Sequence, residues 1–317
     1  MALQLILGNS GAGKSHYIFQ KIIEESEACP DRQFLVIVPE QFTMQTQKDL
    51  VAMHPRRGIM NIDVLSFERL AHRVFDEVGG EHRKILEDTG KNLILRRLAE
   101  EKKDELTLLG ANMKKLGYIS EIKSLLSEFT QYRVSSDQLL EMMERNRENP
   151  QLYLKLKDMK VIYDSFQDYL EGTYLTAEEL LGALEQTVEQ SKSVRGSVIV
   201  LDGYTGFTPV QLGLLKKLFT LAERVCVTLT MDGAEDPFAP GAQYQLFYMT
   251  KKTILGLVCL AGEVQVPVEK PVILREAGRY RFHNAPALGF LESAVFRHRK
   301  RVWDGETDEL SLYAART

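Results

Sequence analysis

The residues with the clearest chemical potential form a glycine-rich loop near the N-terminus. Residues 8–15 read GNSGAGKS, which matches the phosphate-loop (P-loop) pattern G-x-x-x-x-G-K-[ST] at every defined position. The apolar run Leu3–Leu7 precedes the loop, and His16–Glu25 follows it with apolar residues at helical spacing. The order strand, loop, helix is the setting in which this pattern binds the phosphates of a nucleotide.

The chemistry that this loop predicts is anion binding at the start of a helix. Unpaired backbone N–H groups and the helix dipole both favour negative charge there, and glycines let the backbone approach phosphate oxygens closely. Lys14 would meet the β- and γ-phosphates, and Ser15 would hold Mg²⁺. The alternative is a glycine-rich turn that caps a helix without binding a ligand. The predicted site for ATP and Mg²⁺ consists of Gly8, Asn9, Ser10, Gly11, Ala12, Gly13, Lys14 and Ser15.

A second chemical feature lies where an apolar run ends in an acid. Ser197–Asp202 reads SVIVLD, which predicts a buried strand followed by a carboxylate. A P-loop enzyme holds Mg²⁺ with such an acid opposite the serine of its loop. An apolar strand followed by aspartate is common by itself, and the upstream loop is what makes Asp202 the predicted second metal ligand.

Alternating strand and helix patterns place both features in one α/β domain. Buried strands are also predicted at Gln33–Pro39, Ile59–Leu65 and Val225–Thr230, and helices at Glu40–Met53, from Ser66 onwards, and at Pro209–Ala222 and Gln243–Cys259. Between Lys84 and Lys192, strand-like runs disappear and apolar residues recur every three or four positions. This change predicts an inserted helical subdomain, whose charge-rich faces we interpret as solvated helix surface. A further strand is predicted at Glu309–Ala315.

Composition limits the class of protein. The 317 residues suggest about two domains, and 40 basic against 44 acidic residues give a net charge of −4. This balance gives no sign of an overall basic surface, so any contact with nucleic acid would be local or made by a partner. Cys29, Cys226 and Cys259 are scattered singly, and we interpret them as reduced and buried in a cytoplasmic protein. No run approaches the roughly 18 apolar residues of a membrane span.

Residues 202–211, DGYTGFTPVQ, resemble the metal-binding signature D-E-F-Q-D-T-N-P-x-Q of superfamily 1 helicases. Gly203 stands where that family carries the glutamate that activates water, and Thr205 and Gly206 replace the next Gln and Asp. General-base assistance contributes about 10²- to 10⁴-fold to a rate, so phosphate binding could persist here without efficient turnover. Superfamily 1 helicases also carry a γ-phosphate sensor after the next strand, which here is Val225–Thr230. Of that sensor, only Asp232 and a loop remain. Four signature positions keep the helicase residue: Asp202, Tyr204, Pro209 and Gln211.

The chain resembles the N-terminal part of the AddB/RexB family, the B subunits of bacterial ATP-dependent helicase–nucleases that process double-strand DNA breaks. The stretches that carry the resemblance are LGNSGAGKS, VPEQFTMQTQ at 38–47, VLSFERLAHRVFDEVGG at 64–80, LDGYTGFTPVQ at 201–211 and RFHNAPALGFLE at 281–292. It implies a degenerate helicase-like subunit that pairs with an AddA-type motor subunit, acts on single- and double-stranded DNA and helps recognise Chi. It also implies a nuclease domain with a four-cysteine iron–sulfur cluster in a C-terminal region absent from this sequence.

The resemblance implies a RecA-like P-loop core, as in the first domain of superfamily 1 helicases. We expect this core at 1–83 and 195–265, a helical subdomain at 84–194, and an extension at 266–317 leading towards a second helicase-like domain. By analogy with strand-contacting motifs, six residues are candidates for contacting DNA. Core packing is the alternative for the two phenylalanines among them. The six are Gln41, Phe42, Thr43, Ser66, Phe67 and Arg69.

These observations predict the N-terminal helicase-like region of an AddB-type subunit, which binds Mg-ATP, hydrolyses it poorly and helps guide single-stranded DNA. We therefore assign no catalytic residue. Two alternatives stay open. One is an active P-loop ATPase or kinase that uses another carboxylate, such as Glu40, as its base. The other is a structural scaffold whose nucleotide site is vestigial.

Overall fold

The computed structural model of the chain describes residues 1–79, 83–110, 112–113, 115–274, 281–297 and 301–315. Gly80, the last residue of one of the resembling stretches, lies outside the described residues, as do 275–280, 298–300 and 316–317 of the predicted extension. The described residues form eight strands: β1 (Leu3–Gly8), β2 (Phe34–Ile37), β3 (Ile62–Leu65), β4 (Lys84–Ile85), β5 (Tyr174–Leu175), β6 (Val198–Leu201), β7 (Arg224–Thr230) and β8 (Val272–Leu274).

The same residues form eleven α-helices and two 3₁₀ turns. The 3₁₀ turns are Glu40–Phe42 and Val188–Gln190. The α-helices are α1 (Lys14–Ala28), α2 (Thr43–Met53), α3 (Phe67–Val78), α4 (Asp88–Glu101), α5 (Leu116–Gln131), α6 (Ser136–Arg145), α7 (Pro150–Leu170), α8 (Ala177–Thr187), α9 (Pro209–Leu221), α10 (Tyr248–Glu263) and α11 (Pro286–Ala294).

Six strands form a parallel sheet in the order β3-β2-β6-β7-β1-β8. Every residue of β1, β2 and β6 is buried, as expected of a parallel sheet covered on both faces. This arrangement confirms the α/β class. The register places Gly8 of β1 beside Thr230 of β7, and Leu201 of β6 beside Val227 of β7. The carboxyl ends of β1, β7 and β6 therefore lie at one edge of the sheet.

The chain divides into two compact units. The first comprises 1–70, 189–207 and 215–317, and the second comprises 71–188 and 208–214. The predicted helical insertion covered 84–194, and the predicted extension, 266–317, falls within the first unit. β8 is formed by residues of that extension and pairs with β1.

The first unit has its core between the sheet and its helices. Apolar side chains of α1 pack against those of the central strands, including Ile6, Phe34, Val36, Val198 and Val200. These valines, isoleucines and phenylalanines belong to residue types that favour buried strands. The strand predicted at Glu309–Ala315 does not form, because residues 310–315 have no strand pairing.

The second unit is mainly helical and has its own core, contributed by α4, α5, α6 and α7. Local capping explains where its helices begin. Ser135 and Gln138 form a reciprocal capping box before α6, and Thr176 and Glu179 do so before α8. Strands are nevertheless present here, which corrects the expectation that they vanish: β4 and β5 form a parallel pair two residues long.

Two expectations from composition can be compared with the structure. All three cysteines are free thiols, but only Cys226 is buried, whereas Cys29 is half-buried and Cys259 is exposed. Within the described residues, no helix combines the length and apolar character needed to cross a membrane.

Asp158 organises the loop after α4 in the second unit. Its carboxylate lies on α7, is fully buried, and accepts hydrogen bonds from three consecutive backbone N–H groups, those of Thr107 (3.0 Å), Leu108 (2.6 Å) and Leu109 (2.9 Å). A buried carboxylate is tolerated when its lone pairs are matched by such donors. The contact therefore fixes the 107–109 turn onto α7.

Replacing Asp158 with alanine should lower the free energy of unfolding by about 3 kcal/mol, because backbone donors lose a charged acceptor. Urea unfolding of the full chain measures the loss, and hydrogen exchange at 107–109 locates it. Asp164→Ala is the control, since Asp164 lies on the same helix but pairs only with the partly exposed Lys160, and should cost less than about 1 kcal/mol. Equal losses for the two variants would contradict the assigned role.

Candidate nucleotide-binding site

The P-loop adopts the conformation that its glycines permit. β1 ends at Gly8, and α1 begins at Lys14 with Gly13 as the preceding cap residue. Gly11 and Gly13 have φ of 77° and 84°, a left-handed region that strongly favours glycine. No side chain caps α1, and its first turn contains no acidic residue. The N–H groups of that turn, which have no partner within a helix, thus face no competing negative charge from the helix itself.

Lys14 lies over the loop. Its Nζ donates to the carbonyl oxygens of Gly8 (3.0 Å) and Asn9 (2.9 Å). Burial lowers the pKa of Lys14; the nearby Asp202 opposes this shift, whereas the positive charge of Arg281 adds to it. The lysine is therefore a partly desolvated cation, for which an incoming anion would be a favourable partner.

Asp202 immediately follows β6 and is buried. Its backbone N–H donates to the carbonyl oxygen of Ile37 (3.1 Å), which continues the pairing of β6 with β2. The hydroxyl of Thr228, on β7, donates to Asp202 Oδ1. Because β7 lies between β6 and β1, this bond directs the carboxyl group towards the side of the sheet that carries the P-loop.

A cleft of about 470 Å³ brings the predicted residues together. This volume lies within the range of small-molecule sites. Ser15 and Asp202, the predicted metal ligands, both line it. Gly8, Asn9 and Ala12 are not among its lining residues, and Ala12 is buried. The lining residues, all from the first unit, are Ser10, Gly11, Gly13, Lys14, Ser15, His16, Asp202, Gly203, Tyr204, Thr205, Thr228, Thr230 and Arg281.

The donor set of the cleft fits a magnesium-bound polyphosphate. Two cations, Lys14 and Arg281, line the cleft with several hydroxyl groups, and Asp202 is the single carboxylate among the described lining residues. The described part of the chain contains no cluster of three or more His, Cys, Asp or Glu side chains able to hold a metal. A metal ion here would therefore need oxygen ligands from the nucleotide in addition to Ser15 and Asp202. Asn9 Oδ1, buried without a hydrogen-bond partner among the described residues, is a further unsatisfied polar atom of the loop.

The sequence patterns did not identify four lining residues of the cleft, His16, Thr228, Thr230 and Arg281. Arg281 is the most distant of them along the chain. Its backbone N–H approaches the carbonyl oxygen of Gly11 (3.5 Å). A Cβ on Gly11 would lie 2.9 Å from Arg281 Cβ and 2.9 Å from Phe282 Cε2. Gly11 is thus required by close packing against this segment as well as by its own φ. The stretch at 281–292 contributed to the family resemblance, but no spacing rule connected it to the P-loop.

The aromatic residue of the helicase-like signature is part of the wall of the cleft and of the core behind it. Tyr204 packs against Phe67 and Phe207, with ring centroids 5.4 Å apart in each pair. Burial raises the pKa of Tyr204 far above its ordinary value. Its ring therefore supports the cleft as a neutral phenol.

Glu40, the carboxylate considered as an alternative base, does not line the cleft. Its Oε1 pairs with Arg69 Nη2 at 2.8 Å. Hydrogen bonding to Ser66, and then to Arg69, lowers the pKa of Glu40. Asp232, the remnant of the sensor motif, pairs with Arg297 at 3.2 Å and also lies outside the cleft. Neither carboxylate is placed to act on a ligand there.

The six candidates for contacting DNA separate by burial. Gln41, Phe42 and Arg69 are exposed, although Arg69 pairs with Glu40. Thr43, Ser66 and Phe67 are buried and have contacts within the protein. Thr43 donates to the carbonyl oxygen of Glu40 (2.9 Å), Ser66 Oγ accepts the N–H of Arg69 (3.3 Å), and Phe67 packs on Tyr204.

The structure defines an α/β protein in which the glycine-rich loop 8–15 and the Asp202 carboxyl group line one cleft, and comparison with known proteins identifies the family. The family described as "ADDB, N-terminal" matches residues 5–292. The chain belongs to this AddB family.

Relatives in three bacteria are named as the B subunit of an ATP-dependent helicase/deoxyribonuclease. That of Lachnoclostridium phytofermentans is 44% identical over 319 residues, which cover 100% of this chain and 28% of the relative. Those of Caldanaerobacter subterraneus subsp. tengcongensis and Clostridium kluyveri are 34% and 32% identical over 315 residues, covering 99% of this chain and 27% of each relative. The chain thus spans little more than a quarter of the length of these relatives.

The two phenylalanines considered for DNA contact should differ sharply in their effect on stability. Phe67 is 5% exposed and Phe42 is 46% exposed. Phe67→Ala should lower the free energy of unfolding by about 3–5 kcal/mol, as for other buried phenylalanines, and Phe42→Ala by less than about 1 kcal/mol. Chemical denaturation of both variants measures the difference. A comparable loss at both positions would show that Phe42 also belongs to the core.

Proposed function

We propose that the first unit is a RecA-like P-loop core that binds Mg-ATP and hydrolyses it poorly. The observation that carries this proposal is the convergence of the start of α1, Lys14, Ser15 and Asp202 on one cleft. The parallel sheet supports it, since a single strand separates the P-loop strand from the strand that ends in the acid. Ligands of open α/β sheets bind at the carboxyl ends of the strands in this way.

Different residues of the cleft would bind the phosphates and the magnesium ion of Mg-ATP. The N–H groups at the start of α1 would contact phosphate oxygens, while Lys14 and Arg281 would offset negative charge. Ser15 and Asp202 would hold Mg²⁺, which when bound bridges and neutralises phosphate oxygens. For Lys14, exchanging the carbonyl oxygens of Gly8 and Asn9 for phosphate oxygens replaces neutral acceptors with charged ones.

Poor hydrolysis follows from the small number of carboxylates in the cleft. Asp202 is the only carboxylate among the described lining residues, and it already accepts a hydrogen bond from Thr228. Gly203 replaces the water-activating glutamate of the helicases that this segment resembles. Glu40 is engaged by Arg69 away from the cleft, which argues against the alternative of an ATPase or kinase that uses it as a base.

We further propose that the chain is the N-terminal region of the B subunit of an AddAB-type helicase–nuclease in double-strand break repair and recombination. The family match and the names of the relatives support this role. In the complete protein we expect an AddA-type partner that supplies the motor, a C-terminal nuclease with an iron–sulfur cluster, and a contribution to recognising Chi in the cytoplasm.

For this region we propose a part in guiding single-stranded DNA along the segments that follow β2 and β3. Phe42 offers an exposed aromatic face, Gln41 an exposed amide, and Arg69 an exposed guanidinium. Stacking of bases on aromatic rings and contacts with the backbone are how such surfaces hold a strand. The net charge of the chain is −4 and gives no sign of a broad basic surface. The proposed contact with DNA is therefore local.

Mg-ATP should raise the melting temperature of the full chain, since a ligand that binds only the folded state stabilises it by about 2.7 kcal/mol at 100 times its Kd. Lys14→Ala should abolish most of this shift, and Arg281→Ala should reduce it. Lys48→Ala, at an exposed position on α2, is the matched control and should keep the full shift. Thermal melts with and without Mg-ATP measure these effects.

Two results would overturn the nucleotide proposal in different ways. No thermal shift in the wild-type chain, with Lys14→Ala changing nothing, would favour a scaffold with a vestigial site. Phosphate release at about 1 per second or faster would favour an active ATPase or kinase.

Phe42→Ala should weaken binding of a fluorescent oligothymidylate by about 5- to 150-fold, because one stacked base contributes about 1–3 kcal/mol. Fluorescence anisotropy at a fixed salt concentration measures the change. Phe238→Ala is the control, since Phe238 is a comparably exposed phenylalanine in the loop after β7. Equal weakening by both variants, or by neither, would remove Phe42 from the proposed DNA surface.

A further inference from the structure

Gly203 has a backbone conformation that bears directly on the missing acid. It follows Asp202, lines the cleft, and has φ of +82°. Side chains of L-residues rarely adopt this region, and an ordinary residue there is strained. The position at which the helicases of the resembling family carry a glutamate thus lies in a turn whose positive φ favours glycine.

The direction of a side chain at this position is also unfavourable for catalysis. A Cβ on Gly203 would lie 3.4 Å from Pro39 Cδ and 3.7 Å from Phe42 Cδ2. Both residues belong to the segment that follows β2, which lies on one side of β6, whereas β7 and β1 lie on the other. A side chain at position 203 would therefore start towards the β2 side, beside Pro39 and Phe42.

From these two observations, and resting on the proposed nucleotide site, we propose that the backbone at Gly203 keeps this position from supplying the base for hydrolysis. The loss of the acid is then more than a single side-chain difference. A carboxylate returned at position 203 starts beside Pro39 and Phe42 and strains the turn. The bound triphosphate is therefore hydrolysed slowly whether position 203 carries glycine or glutamate.

The hydroxyl groups of the cleft do not replace the missing base. Those of Thr205, Thr228 and Thr230 line it, but a neutral hydroxyl is a poor proton acceptor at physiological pH. Thr228 already donates to Asp202. His16 also lines the cleft and is exposed, so we confine the inference to the base that related helicases place at position 203.

The decisive variant is Gly203→Glu in the full chain, with phosphate release measured at Mg-ATP concentrations that saturate the protein by thermal shift. We expect a rate within about 3-fold of the wild type. A functional general base would raise the rate by about 10²- to 10⁴-fold. A rise of 10-fold or more would overturn the inference.

Gly203→Gln tests the direction of the side chain independently of turnover. If residue 203 points away from the phosphates, the Glu and Gln variants should bind Mg-ATP with affinities within about 3-fold of each other. A selective loss of affinity in the Glu variant would place its carboxylate beside the phosphates, where it repels them, and would also overturn the inference.

Two smaller substitutions test the backbone. Gly203→Ala should lower the melting temperature by about 2–4 °C, and Gly203→Asn by less, because asparagine tolerates positive φ better than alanine does. Unchanged melting temperatures in both variants would contradict the constraint. Failure of the wild-type chain to bind Mg-ATP is a separate result, which would overturn the proposed function itself and the inference with it.

Discussion

The cleft depends on the register of three neighbouring parallel strands, β1, β7 and β6. β1, β7 and β6 are hydrogen-bonded neighbours whose carboxyl ends meet at one edge, with Gly8 beside Thr230 and Leu201 beside Val227. A slip of one residue would turn every buried side chain of a strand to the opposite face. The central strands are buried on both faces, so a slip would force each side chain into space shaped for a different one, which close-packed interiors tolerate poorly. The P-loop and Asp202 are therefore brought together by the packing of apolar residues remote from any ligand.

The electrostatics of Lys14 are consistent with the proposed binding of a polyanion in the cleft. Burial is the main cause that lowers the pKa of Lys14; the positive charge of Arg281 adds to this shift, and the negative charges of Asp202 and Glu292 oppose it. The pKa of Lys14 is below its ordinary value of 10.5, so the unfolded chain binds more protons than the folded chain as the pH approaches 10.5. Stability should therefore rise with pH through that interval and be lower at neutral pH, where the buried lysine is charged. An anion that pairs with Lys14 removes this cost, so ligand binding and stability are coupled through one side chain.

Sequence patterns predicted the P-loop, the parallel strands and Asp202, because each of these depends on local spacing or on an apolar run of strand length. They could not identify Arg281, which reaches the loop from more than 260 positions along the chain and carries no spacing rule of its own. Sequence patterns also could not predict which of the two phenylalanines is buried. Phe42 and Phe67 both follow a strand, but Phe67 packs on Tyr204 and Phe42 is exposed. The two-residue pairing of β4 with β5 is too short to leave a periodic pattern. Long-range packing decided each of these features.

In the proposed function, position 203 separates two properties of the site. Phosphate binding would depend on glycines, a helix start and cations around β1, whereas activation of water would require an acid that follows β6. In this chain the second requirement conflicts with the turn after Asp202, whose positive φ brings the chain beside Pro39 and Phe42. Packing around that turn is shared with the exposed segment that carries Phe42. Selection for that packing would preserve glycine at position 203 without any selection on hydrolysis, and a nucleotide site maintained in this way would persist as a binding site alone.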